Sequence, residues 1–241
     1  MQFIRSLIFS SVMIATTMIT SFILVLLYPL PFRFRTSTTR TYALINILAL
    51  KYICNINYIV EGRENIPQTT SLIFSKHQST WETLALQTIF PTFTFVVKRE
   101  LLWIPFFGWG LAALRPIAIN RSSGRSAIKQ VVKQGIQRLK SNIWIIIFPE
   151  GTRVSAGTKG RYLPGGAVLA SQSGFPVVPV AHNAGECWPR GQFLKIPGTI
   201  TVVIGPQIPT KGRKADEILT DTENWIETTM LRISKAQPNR I

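Results

Sequence analysis

Between Arg5 and Arg33 lie 27 residues without a charge. Within that stretch, residues 7–27 would extend about 31 Å as an α-helix, close to the ~30 Å hydrocarbon thickness of a bilayer. A buried core helix and a cleaved signal peptide are the competing readings. A signal peptide has an apolar run of roughly 7–15 residues and a small-residue cleavage site, whereas this run is longer and ends in Tyr28-Pro29-Leu30-Pro31. A retained hydrophobic helical membrane anchor is therefore expected. The hydroxyls of Ser10, Ser11, Thr16, Thr17, Thr20 and Ser21 lower its hydrophobicity and allow a shallow or tilted insertion. Arg33, Arg35 and Arg40 follow the segment while Arg5 alone precedes it. The positive-inside bias then places the rest of the chain in the cytoplasm, at the inner (cytoplasmic) membrane. A second segment, residues 41–59, is apolar except for Asn46, Lys51, Asn55 and Asn57 and is too polar to span; those four share no single helical face. Residues 1–60 thus read as membrane-anchoring helices.

Residues 61–241 read as one α/β domain, a mixed central sheet flanked by helices. Short apolar runs at 72–74, 93–97, 116–119, 143–148, 177–180 and 199–204 suit strands, and the segments 80–89, 126–140 and 215–236 suit helices. Residues 126–140 place apolar side chains at 128, 131, 132, 136 and 139, the spacing of an amphipathic helix. The uninterrupted run 143–148 fits a strand covered on both faces.

The formal net charge of +16 comes from 27 basic against 11 acidic residues, and residues 61–215 hold only six of the acids. Each acid there asks for a reason. The basic excess admits a non-enzymatic protein that binds anionic lipid or nucleic acid, but that reading leaves Glu82, Glu100 and Glu150 unexplained and no nucleic-acid module is visible. Cys54 and Cys187 are far apart and the chain has two histidines, His77 and His182, which argues against a zinc site or a disulfide framework.

One histidine lies in Lys76-His77-Gln78-Ser79-Thr80-Trp81-Glu82. Five positions along one helix would set the two side chains about 140° apart. With His77 in a loop and Glu82 in the first helical turn, the carboxylate can instead fix the imidazole tautomer and leave the other ring nitrogen as a base for an alcohol. The alternative for Glu82 is a capping box with Ser79. Further on, the 143–148 run ends in Pro149-Glu150-Gly151-Thr152-Arg153, where a rigid turn and a guanidinium fork suit a phosphate monoester, though a solvated Pro-Gly turn has the same composition. His182 has no carboxylate at comparable spacing and reads as structural or supporting.

Together these blocks, with Lys98-x-Glu100-Leu101-x3-Pro105-x2-Gly108, Ile119-Asn120-Arg121 and Val178-Pro179-Val180, resemble in order and spacing the glycerolipid acyltransferases, most nearly the bacterial 1-acyl-sn-glycerol-3-phosphate acyltransferases. The resemblance spans residues 60–205. It implies transfer of an acyl group from acyl-CoA or acyl-acyl carrier protein to lysophosphatidic acid, with no other cofactor and no metal. By carry-over His77 is the general base and Glu82 its partner, while Glu150, Gly151, Thr152 and Arg153 hold the glycerol phosphate with Lys98 and Arg121 as further phosphate partners. The chain departs from the pattern in having Glu82 where Asp is usual, and Leu163 and Pro164 where many members carry a lysine before a Gly-Ala pair, leaving Arg161 as the nearby substitute. The aromatic run 101–111 is plain core or, in a lipid enzyme, an acyl groove or a segment dipping into the interface.

Overall fold

The computed structural model describes residues 1–120 and 123–236. Two long helices lead, α1 (Gln2–Leu26) and α2 (Phe32–Cys54), and β1 (Ile56–Glu61) follows directly. The turn between α2 and β1 is made by Asn55, whose φ of 55° is the left-handed cap that ends the helix. Beyond it Asn57 is a strand residue. This is why the four polar residues of segment 41–59 shared no helical face, and why β1 straddles residue 60.

The chain continues through β2 (Leu72–Ser75), α3 (Trp81–Ile89), β3 (Phe93–Lys98), α4 (Phe107–Ala113), β4 (Ile117–Ile119), α5 (Arg125–Lys140) and β5 (Trp144–Ile147). It ends with α6 (Gly165–Ser173), β6 (Val177–His182), α7 (Ala184–Cys187), β7 (Gly198–Ile204) and α8 (Ala215–Ile233). Among the described residues the strands form one mixed sheet in the order β1-β7-β6-β2-β5-β3-β4. Neighbours pair parallel except β6 with β7. Alternation of side chains along each strand divides the core. Ile73, Ile146 and Val178 pack with α1, α2 and α3 on one face. Leu72, Phe74, Ile145 and Ile147 pack with α5, α6 and α8 on the other. The carboxyl ends of β2, β3 and β5 point the same way, where an open α/β sheet holds its ligand.

The α1 helix is long and apolar enough to cross a membrane by length and composition, yet it is tied to the rest of the chain along its length. The Lys195 N–H donates to Ser6 Oγ at 2.9 Å, Asn46 Nδ2 donates to Thr16 Oγ1 at 3.0 Å, and Thr17 and Tyr42 hydroxyls meet at 2.9 Å. Phe9 is fully buried edge-on to Trp188, a burial that contributes roughly 1.5–3 kcal/mol. At Gly110 of α4 a Cβ would lie 2.9 Å from the Ser21 Cα, so only glycine permits this close crossing. The Ser10, Ser11, Thr16 and Thr17 hydroxyls bond to carbonyls one turn back, Thr16 and Thr17 also meet α2, and Ser10 accepts from Lys195 Nζ. Its other flank, with Phe3, Ile4, Leu7, Ile8, Ile14, Ile19 and Phe22, is exposed. Arg35, counted with the flanking cations, is buried and donates to the Ala113 carbonyl at 2.8 Å.

Candidate active site

β2 stops at Ser75, and Lys76 to Thr80 turn the chain into α3, whose first turn holds Glu82. His77 Nδ1 lies 2.8 Å from Glu82 Oε1, and the Gln78 and Ser79 N–H groups donate to the same oxygen at 3.0 and 2.8 Å. Glu82 therefore meets the imidazole as the first sequence reading asked; of the capping box only the Ser79 N–H half forms, because α3 starts after Thr80 and Ser79 Oγ accepts from the Trp81 N–H instead. Burial alone would raise its pKa; the His182 and His77 imidazoles and the Ser79 N–H outweigh that and hold the carboxyl below its usual range. An ionised Glu82 accepts only, so Nδ1 is the ring nitrogen that donates to it, and Nε2 is the one turned away from the carboxylate.

The loop is held from the far side by the end of β5. Phe148 stacks on the His77 ring, centroids 3.9 Å apart and planes within 14°. The His77 N–H donates to Glu150 Oε2 at 2.9 Å and its carbonyl accepts from the Val154 N–H at 2.8 Å. Glu150 Oε1 accepts from Lys76 Nζ at 2.7 Å and the Gly160 N–H at 3.3 Å. Lys76 also donates to Glu227 Oε1 at 2.8 Å and to the Thr158 carbonyl at 3.3 Å, and the Tyr162 hydroxyl donates to Glu227 at 2.8 Å. Burial pushes Glu150 up against the pull of Lys76.

A cavity of about 280 Å³ opens beside His77, with Lys98 and Arg153 on its wall. Thr17, Thr20, Ser21 and Leu24 of α1 and Tyr42 of α2 form another side, and Phe95, Leu101, Phe107, Leu111 and Phe148 are among its apolar lining. The 101–111 run serves two ends: those residues line the cavity, while Trp103, Ile104, Phe106 and Trp109 face outward. Lys98 is exposed and Arg153 half-buried.

Not every predicted binding residue reaches that space. Glu150 is 5% exposed with both oxygens spent on Lys76, Gly160 and His77, so it holds the loop rather than a phosphate, which its charge would repel. Gly151, with φ 67°, lines a neighbouring apolar cavity, and a Cβ there would meet Leu163 Cδ1 at 2.6 Å. Thr152 and Arg161 are exposed and line neither cavity. Arg121 lies outside the described residues. His182 is fully buried: Nε2 is 2.8 Å from the Lys76 carbonyl and Nδ1 accepts from the Ala184 N–H at 3.3 Å. Burial pushes its pKa down despite Glu82, so it is neutral and both nitrogens are committed. Sequence reading missed Lys76 and Glu227. Their partnership joins positions 151 apart, and its sole local signal is a lysine beside the loop histidine. No group of three or more His, Cys, Asp or Glu able to hold a metal occurs among the described residues.

The geometry can deprotonate a hydroxyl held beside His77. Known proteins place the chain in a family. A family model described as Acyltransferase matches residues 57–183. The 1-acyl-sn-glycerol-3-phosphate acyltransferase of Pseudomonas aeruginosa is 44% identical over 98% of this chain and 94% of its own length. This chain belongs to that acyltransferase family. A more distant member, the human 1-acyl-sn-glycerol-3-phosphate acyltransferase beta, is 29% identical over 78% of the chain and 70% of its own length. The crystal structure of the 1-acyl-sn-glycerophosphate (LPA) acyltransferase from Thermotoga maritima superposes with a TM-score of 0.81, covering 96% of this chain and 95% of that one at 21% identity, and shares its fold. The chain is thus an acyltransferase of phospholipid biosynthesis, and its exposed apolar helix accords with membrane association.

Proposed function

We propose that this acyltransferase moves a fatty acyl group from an acyl thioester, acyl-CoA or acyl-acyl carrier protein, to the free sn-2 hydroxyl of lysophosphatidic acid, forming phosphatidic acid. The observation that carries the reading is the His77–Glu82 pair opening onto a cavity with Lys98 and Arg153 on its wall and α1 on its side. The name of the Pseudomonas relative supports the acceptor. In the proposed step Nε2 of His77 takes the hydroxyl proton as the acceptor oxygen attacks the thioester carbonyl. Glu82 stabilises the imidazolium, and collapse of the tetrahedral intermediate expels the thiolate, which takes that proton back. This route needs no covalent acyl-enzyme, metal or prosthetic group. Arg153 and Lys98 hold the phosphate monoester, Arg153 through its planar fork.

The anchor follows from the same geometry. One flank of α1 is bound to the domain from Ser6 to Ser21, which supports entry of its exposed apolar flank into lipid with the domain alongside; the basic residues after the helix support insertion from the cytoplasmic leaflet of the inner membrane. The acceptor then reaches His77 past α1 without leaving the bilayer surface. Membranes carrying the protein should convert labelled lysophosphatidic acid and acyl-CoA or acyl carrier thioester to phosphatidic acid. Conversion of glycerol 3-phosphate or another lysolipid in its place would move the acceptor assignment.

A further inference from the structure

The proposed reaction joins a lipid acceptor to a donor carried by a soluble, anionic molecule, and the two faces of the sheet differ in the way those substrates differ. The α1 and α2 face exposes apolar side chains. On the opposite face α5 carries five cations, Arg125, Lys129, Lys133, Arg138 and Lys140, and no acid. Arg125, Lys129 and Lys133 are exposed, and among the described residues none of them makes an ion pair. Four of the five acids of α8 pair with other cations: Glu217 and Asp221 with Arg213, Glu223 with Lys159, Glu227 with Lys76.

The same helix opens a way in. Its residues Ala127, Ile128 and Val131 line an apolar cavity of about 220 Å³, whose walls Val96 and Phe148 also line the catalytic cavity. Phe148 is the ring stacked on His77. Val96 and Phe148 are thus the wall that the two cavities share.

We infer that the outward face of α5, through Arg125, Lys129 and Lys133, docks an acidic acyl carrier protein whose thioester arm enters by the apolar cavity beside Phe148. The inference rests on the proposed thioester donor. Spacing selects the occupant. Cations four residues apart are ~6 Å apart along the axis, so the stripe spreads over about 12 Å. An extended acidic protein surface matches such a stripe, whereas the phosphates of a nucleotide carrier need converging donors. An anionic bilayer is disfavoured because α5 lies across the sheet from the apolar helices.

The test uses the full-length enzyme in lipid micelles with lysophosphatidic acid and two donors of equal chain length, acyl carrier protein and acyl-CoA. The variant is Arg125→Glu/Lys129→Glu/Lys133→Glu, with Arg125→Gln/Lys129→Gln/Lys133→Gln as the milder form should charge reversal impair folding. Charge reversal should raise KM for the acyl carrier protein about 10- to 100-fold and flatten the salt dependence of kcat/KM, while kcat and the KM for acyl-CoA stay within about twofold. An unchanged KM for the carrier protein overturns the docking surface. An equal loss with both donors, or loss of binding to anionic vesicles, reassigns the stripe to the nucleotide or to lipid and overturns it too. Wild-type enzyme that uses acyl-CoA alone removes the carrier protein as partner. Wild-type enzyme that transfers from neither donor removes the proposed function, and the docking with it.

Discussion

The two histidines of this chain sit on either side of the same residue. The His77 ring follows Lys76 in the loop and lines the cavity, 13% exposed. The His182 ring, at the end of β6, is fully enclosed and meets the Lys76 carbonyl. Both feel the Glu82 carboxylate. They differ in what the second ring nitrogen meets: the Ala184 N–H at His182, the cavity at His77. Residue type and a nearby acid therefore do not make a base. A base also needs a ring nitrogen without a donor at a wall that substrate can reach, which is the ground for proposing His77.

Substitutions should separate the two positions. His77→Ala should lower kcat by roughly 10³–10⁴-fold while leaving melting temperature and membrane association nearly unchanged. If full turnover persisted in that variant, the base would lie elsewhere. His182→Ala should act in the opposite sense, destabilising the fold by roughly 2–4 kcal/mol through the orphaned Lys76 carbonyl and Ala184 N–H, with specific activity of the folded fraction far better kept. Thermal melts paired with assays at low temperature distinguish these outcomes; a stable, inactive His182→Ala protein would erase the contrast.

Smaller effects sharpen it. Arg153→Ala should raise KM for lysophosphatidic acid about 10- to 100-fold with a lesser change in kcat, and Arg153→Lys should restore part of the loss. An unaltered acceptor dependence would move the phosphate site. Lys76→Met leaves the buried Glu150 and the half-buried Glu227 without their cation, so stability should fall by about 3–5 kcal/mol and Glu150 should loosen its hold on the His77 N–H, lowering kcat more than it changes KM. The smallest effect is in pH. Because His182 is depressed in the fold, the unfolded chain binds more protons below the ordinary histidine range. Stability should therefore fall as pH drops beneath ~6.5, by at most about 1.4 kcal/mol per pH unit. His182→Gln should remove that slope in denaturant titrations at several pH values; a slope that survives would assign it to another group.

Much of the site was legible in short stretches. The run 143–148 foretold a strand buried on both faces, and β5 is that strand. The His77-x4-Glu82 spacing foretold a loop meeting a helix start, and the pair closes at 2.8 Å. The turn after β5 was also legible, but not the separate fates of its residues: Arg153 lines the cavity, Thr152 faces away and Glu150 turns inward to Lys76. Glu82 in place of Asp does not prevent the contact with His77.

By itself the sequence determined which segments are apolar, where helices and strands alternate, and which loop can bring a histidine against an acid, because those properties are written within a few residues and follow from backbone periodicity. Tertiary structure alone decided the sheet order, the use of α1 as a cavity wall, the neutral state of His182 and the clamp of Glu227 on Lys76. Each of these depends on burial and on partners far apart along the chain, and neither quantity exists until the chain has closed upon itself.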